Sequence, residues 1–188
     1  MEFRDLKKQY AVLKNDIDRH IDEVIASSRF IGGSKVSELE EKLAAYVGTK
    51  HCVTCANGTD ALELALMAWG IGKGDAVFVP DFTFFSSGEI VAILGATPVF
   101  VDVDEDTFNM NSVSLEKAIN EVIADGELKP RVVIPVDLFG LPANFVKLRK
   151  IADKYGLKIL EDGAQGFGGE IDGKRACSFG DISTTSFF

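Results

Sequence analysis

The stretch RVVIPVDLFGLPANFVKLRKIADKYGLKILED, running from Arg131 to Asp162, reads as a strand, a helix and a second strand. The apolar runs 131–136 and 157–161 are strand candidates, and 144–155 between them is helical. A strand that leads through a helix into another strand implies parallel pairing. Upstream the same alternation continues, with strands expected at 52–55, 76–80 and 98–103 and helices near 59–69, 85–94 and 113–124. Downstream, Asp172-Gly173 between Glu170-Ile171 and Lys174-Arg175 predicts a short hairpin before a last strand at 181–187. The expected fold is therefore α/β, a three-layer α/β/α sandwich on a mostly parallel sheet.

Two helices precede this alternation. Leu6, Tyr10, Leu13, Ile17, Ile21 and Val24 recur at helical spacing, and Phe30-Ile31-Gly32-Gly33 breaks the pattern. Ser37 with Glu40 predicts a capping box for the second helix. The expected division is an N-terminal helical arm at 1–30 and a sheet domain at 31–188.

Composition narrows the function. With 188 residues, 46% hydrophobic and 26% charged, the chain matches an ordinary globular domain. A net charge of -9 argues against broad nucleic-acid binding and obliges any anionic ligand to rely on local donors. No signal peptide or bilayer-length apolar run is visible, so the cytoplasm is the expected compartment, without membrane attachment. Cys52, Cys55 and Cys177 make no disulfide framework, and a single C-x-x-C in an apolar run is expected to be buried and inert. His20, His51 and the acidic run Asp102–Asp106 read as ordinary surface or packing residues, and no metal site is expected. A nicotinamide-dependent oxidoreductase would show G-x-G-x-x-G after the first strand. Gly70-Ile71-Gly72-Lys73-Gly74 instead follows a helix, and neither a P-loop nor a G-x-S-x-G elbow occurs.

Ligands in such sheets sit at the carboxyl ends of the strands, which directs attention to loops 56–60, 81–86, 104–111, 137–144 and 162–169. In Asn57-Gly58-Thr59-Asp60, Asn57 and Thr59 either cap a helix or, with Gly58, receive a phosphate at its N-terminus. In Asp81-Phe82-Thr83-Phe84-Phe85, Phe82 and Phe85 are expected in the core, and Phe84 offers a flat face to a planar cofactor. Asp162 ends an apolar strand, where a carboxylate either forms a turn or pairs with a ring nitrogen, and Gln165 reaches the same place. Ser186, in a hydroxyl-rich strand end, is a donor to the phosphate held at Gly58 and Thr59.

The order and spacing of these pieces resemble the DegT/DnrJ/EryC1/StrS family of pyridoxal phosphate-dependent sugar aminotransferases, which share the aspartate aminotransferase fold. The resemblance runs through Phe3-Arg4-Asp5-Leu6, Phe30-Ile31-Gly32-Gly33, Asn57-Gly58-Thr59-Asp60-Ala61-Leu62, Gly95-Ala96-Thr97-Pro98-Val99, Pro135–Gly140, Glu161–Gln165 and Thr185-Ser186-Phe187-Phe188. It implies the large domain of the type I fold, with Gly58, Thr59 and Ser186 on the phosphate and Phe84 stacked on the pyridine ring. Asp162 would be the catalytic partner of the ring nitrogen, and Gln165 would lie near the phenolic oxygen. The family's Schiff-base lysine normally follows Ser-Phe-Phe by three residues, and a small C-terminal domain follows it. The chain is accordingly expected to be a truncated, inactive part of an enzyme that aminates a keto group on a nucleotide-linked sugar with a donor such as glutamate. Such enzymes are homodimers, and the helix at 5–26 is a candidate contact surface. The alternative is a non-catalytic sugar-sensing protein on the same scaffold. Asp137 stands where relatives carry other polar residues, so the resemblance leaves its role open.

Overall fold

The computed structural model describes residues 5–187; Phe3, Arg4 and Phe188 of the quoted motifs lie outside the described residues. The chain divides into two compact units. One runs through Tyr46 and includes Lys50–Thr54; the other comprises Val47–Thr49 and everything from Cys55.

The first unit holds helices α1 (Leu6–Ser27) and α2 (Ser34–Val47). Asp5 starts α1 by accepting a hydrogen bond from Lys8 N at 2.9 Å, and Ser28 ends it in a left-handed conformation. Helix α1 buries none of its residues, and Leu6, Val12, Ile21 and Ile25 are all exposed. The expected capping box does not form. Helix α2 starts three residues before Ser37, and Glu40 instead accepts hydrogen bonds from Thr54 N and Oγ1, both at 2.8 Å. The strand expected at 52–55 is also absent: the segment is irregular, and Val53 and Cys55 are exposed. An apolar run becomes a strand only where a neighbour accepts its ladder, and here Thr54 gives its N–H to a carboxylate. The inert burial expected for the C-x-x-C is corrected accordingly, with Cys55 exposed and Cys52 half-buried.

The second unit is a parallel five-stranded sheet. Its strands are β1 (Asp75–Pro80), β2 (Thr97–Val101), β3 (Lys129–Val133), β4 (Lys158–Asp162) and, last in the chain, β7 (Ile182–Thr184). The order is β2-β1-β3-β4-β7, and every neighbouring pair is parallel. The hairpin β5 (Glu170–Ile171) and β6 (Lys174–Arg175) stands apart from it.

Side chains alternate between two cores, which makes the unit three layers. Ala76 and Phe78 of β1 pack with Leu115 and Ile119 of helix α5 (Ser112–Asp125) and Leu148 of helix α6 (Phe145–Tyr155). Val77 and Val79 face the other way, toward Leu62 and Leu66 of helix α3 (Gly58–Ala68) and Ile90 of helix α4 (Ser86–Ile93). Both faces of β1 are therefore covered, and all six of its residues are buried. Burying a side chain the size of Phe78 stabilises the fold by about 2–3 kcal/mol. Among the described residues no helix is long and apolar enough to cross a membrane.

Among the described residues the sheet has one switch point. From β1 the chain crosses to β2 on one side, then returns past β1 to β3 on the other. The loops leaving β1 and β3 thus diverge at their carboxyl ends, which is where open parallel sheets bind ligands.

Candidate active site

Two consecutive serines tie this site together. Ser86 and Ser87 open α4 and are both buried. Ser86 Oγ lies 2.9 Å from Thr59 Oγ1 at the start of α3, and Ser87 Oγ donates to Asp162 Oδ2 at 2.9 Å. The end of β1 therefore reaches α3 on one side and the end of β4 on the other.

Asp162 is the last residue of β4 and almost fully buried. Burial pushes its carboxyl above the usual carboxylate range, while the Ser87 hydroxyl and the Ala164 N–H at 3.2 Å oppose that shift. A buried acid with two donors on it is held in one orientation, ready for a cationic partner.

The turn before α3 approaches the end of the chain closely. Asn57 caps the helix, its side-chain oxygen accepting from Asp60 N at 2.9 Å, so the capping reading holds for Asn57. Gly58 meets Ser186: a Cβ built on this glycine would lie 2.8 Å from Ser186 Cβ and 3.3 Å from its Oγ. Only glycine permits that approach. It brings the hydroxyl of Ser186 beside the first turn of α3, where the helix dipole favours an anion.

Phe84 is 71% exposed, and its carbonyl accepts from Ser87 N at 3.2 Å. Its neighbours Phe82 and Phe85 are exposed too, which corrects the expectation that they enter the core. The Phe82 ring instead joins Phe108 and Phe139, with centroids 5.5 and 6.5 Å away. Phe108 and Phe139 both have left-handed backbones, with φ of 57° and 56°. Gln165 lies at the edge of this group, its Oε1 accepting from Phe139 N at 2.8 Å.

Three further buried side chains had no role in the sequence reading. Asn109 bridges two loops, its amide donating to Leu141 O at 3.0 Å and its oxygen accepting from Leu138 N at 3.3 Å. Asp137, fully buried, accepts from Ala143 N at 3.0 Å with Oδ1, while Oδ2 meets no donor. Burial first, and then the charge of neighbouring Glu161, raises the Asp137 carboxyl to about 8. A retained proton suits this place, since it turns Oδ2 from an acceptor facing a carboxylate into a donor. Glu161 is buried as well, but four donors surround it. Beside it, burial and the Glu161 charge raise the Cys177 thiol to about 12. The serine pair after Thr83-Phe84-Phe85 was visible in the sequence; the Asp137–Glu161 neighbourhood depends on a strand pairing that spacing does not reveal.

Comparison with known proteins shows the family. A family model described as the DegT/DnrJ/EryC1/StrS aminotransferase family matches residues 12–188. The UDP-2-acetamido-2-deoxy-3-oxo-D-glucuronate aminotransferase of Pseudomonas aeruginosa is 45% identical over all of this chain and 50% of its own length. A pleiotropic regulatory protein of Geobacillus stearothermophilus is 44% identical over 98% of this chain and 48% of its own. The crystal structure of a DegT DnrJ EryC1 StrS aminotransferase from Brucella abortus superposes with a TM-score of 0.98 at 49% identity, covering 100% of this chain and 50% of that one. The chain spans about half the length of the curated relatives it matches. Matched by the family model over residues 12–188 and superposing on a solved member along its whole length, this chain belongs to the DegT/DnrJ/EryC1/StrS aminotransferase family.

Proposed function

We propose that the protein carrying this chain is a pyridoxal phosphate-dependent aminotransferase acting on a keto group of a nucleotide-linked sugar. The amino donor is an amino acid such as glutamate, the setting is cytoplasmic amino-sugar biosynthesis, and the working form is a homodimer. Residues 31–188 belong to its cofactor-binding large domain and residues 1–30 to an N-terminal arm. The name of the Pseudomonas aeruginosa relative supports the substrate class. The apolar residues that α1 leaves exposed support a role for that helix in the dimer contact.

One observation carries the reading: the run of contacts from Thr59 through Ser86 and Ser87 to Asp162. It joins an anion-favouring helix start to a buried acid, which matches a ligand with a phosphate at one end and a basic ring nitrogen at the other. The residues fit such a group. Gly58, Thr59 and Ser186 offer backbone and hydroxyl donors to the phosphate, and a side chain at Gly58 would fill that cradle. Asp162, fixed by Ser87 and Ala164 N, holds a proton at the ring nitrogen. Phe84 would cover one face of the ring and keep water from it. Gln165 has its oxygen on Phe139 N, which leaves its NH2 as the donor toward the phenolic oxygen. When bound, pyridoxal phosphate supplies the electron sink that lets an amino group pass between carbons.

Equilibrium dialysis against pyridoxal phosphate tests this. We expect wild-type binding, and a loss of at least about tenfold in Asp162→Ala, the scale of one lost charge-assisted contact. Equal binding by the two refutes the site. The name of the Geobacillus relative favours a second reading, a regulatory protein that senses a sugar with the same pocket. Amino transfer to a nucleotide-linked keto sugar by the intact protein decides for the enzyme.

A further inference from the structure

The strand that brings Ser186 to Gly58 is short, and a carboxylate braces the bend that leads into it. β7 has only three residues, and among the described residues it pairs with β4 alone, through Leu160↔Ile182, Glu161↔Ser183 and Asp162↔Thr184. The chain reaches it by an irregular bend from Cys177 to Asp181. A three-residue strand makes few ladder bonds, so its position leans on contacts beside the ladder.

Glu161 fills the inside of this bend. Its Oε1 accepts from Cys177 N at 2.5 Å, and its Oε2 from Phe179 N at 2.6 Å, Gly180 N at 3.1 Å and Ser183 Oγ at 2.6 Å. A carboxylate is an acceptor-only group with about four lone-pair sites, so four converging donors suit it better than any amide. The bend closes tightly on β4: a Cβ at Gly180 would lie 2.9 Å from Glu161 N and 3.0 Å from Ile159 O. From the outer side Arg149 of α6 donates to Asp181 at 3.1 Å and to Phe179 O at 3.3 Å. Beyond the bend, Gly163 N donates to Thr184 O at 2.8 Å and Thr185 Oγ1 to Gly163 O at 3.1 Å, and the next residue is Ser186.

We propose that Glu161 is the positioning residue for the phosphate end of the site, holding the Cys177–Ser183 bend so that Ser186 is set against Gly58. This rests on the pyridoxal phosphate reading given above. It assigns adjacent acids of one strand to opposite ends of the same ligand, Asp162 to the ring nitrogen and Glu161, through the bend, to the phosphate. In Glu161→Gln one acceptor oxygen becomes an NH2 group facing donors, the bend relaxes, and Ser186 leaves its place.

The test compares pyridoxal phosphate with pyridoxal, which lacks the phosphate, in equilibrium dialysis with absorbance detection. Wild type should prefer the phosphorylated ligand. In Glu161→Gln that preference should shrink by about tenfold while pyridoxal affinity stays unchanged, one hydroxyl or amide contact to an anion being of this size. Ser183→Ala, which removes one of the four donors and spares the core, should shrink it about threefold in a folded chain. If both ligands weaken together, or if the preference survives in both variants, Glu161 does not position the phosphate end. If wild type binds neither ligand, the reading of the site falls, and this inference with it. Should Glu161→Gln fail to fold, Ser183→Ala alone decides.

Discussion

Replacing Asp137 by asparagine should make the protein more stable above neutral pH. In the folded chain this carboxyl keeps its proton to about 8, whereas its ordinary value is 3.8. Between those limits the folded state binds the extra proton, so stability falls as pH rises and levels off near the upper value. Near pH 7 the difference corresponds to about 4 kcal/mol at 1.36 kcal/mol per pH unit, and solvent relaxation around a buried acid reduces it to about 2–4 kcal/mol. Asparagine keeps the acceptor for Ala143 N and offers an NH2 where the acid offers its O–H, so it removes the titration with little change of shape. Melting curves at several values from pH 5 to pH 9 provide the assay. The wild-type midpoint should drop by about 5–10 °C over this range, at about 2–4 °C per kcal/mol for a chain of this size. Asp137→Asn should show a much shallower slope. Some slope will persist because burial also raises Asp162. Identical slopes in the two proteins would mean that Asp137 is ionised in the fold and that its unpartnered oxygen has another explanation.

Gly58→Ala should fold yet bind pyridoxal phosphate at least about tenfold more weakly, because its methyl group meets Ser186 Cβ at 2.8 Å; unchanged affinity by dialysis would remove Gly58 from the cradle. Iodoacetamide labelling read by peptide mass spectrometry should modify exposed Cys55 first and leave Cys177 unreacted in the folded chain, since burial raises that thiol to about 12. Early labelling of Cys177 would contradict its placement. Asn109→Ala should destabilise the chain by about 2 kcal/mol in urea titration, because it leaves Leu138 N and Leu141 O without their bridge. A change below about 0.5 kcal/mol would show that water replaces the amide without loss.

The centre of the sheet was legible because β1 is buried on both faces. The run at 76–80 has no polar side to hide, so it reads as a central strand before any neighbour is known. A helix start was legible where one residue decides it, as at Asn57. The expectations at 52–55 and at Ser37 failed for a common reason. Each local pattern was sound, but Glu40 and Thr54 found each other across 14 positions and satisfied the groups that the local pattern had reserved. Asp162 was legible as an acid at a strand end. Glu161 beside it was not, because its role depends on the bend from Cys177 to Asp181, which folds back onto β4 from 16 or more residues away. The exposed phenyl rings at 82 and 85 misled for the opposite reason: hydrophobicity suggests burial, but says nothing about loops that open toward a ligand.

Phe108 and Phe139 carry a consequence for engineering. A bulky residue in a left-handed backbone costs about 1–3 kcal/mol that glycine would recover. A directed-evolution library sorted for heat tolerance alone should therefore drift to glycine or asparagine at both positions, dissolving the three-ring cluster with Phe82. Sorting the same library for pyridoxal phosphate binding instead would reveal, from which rings return, how much of that stored strain the proposed site uses.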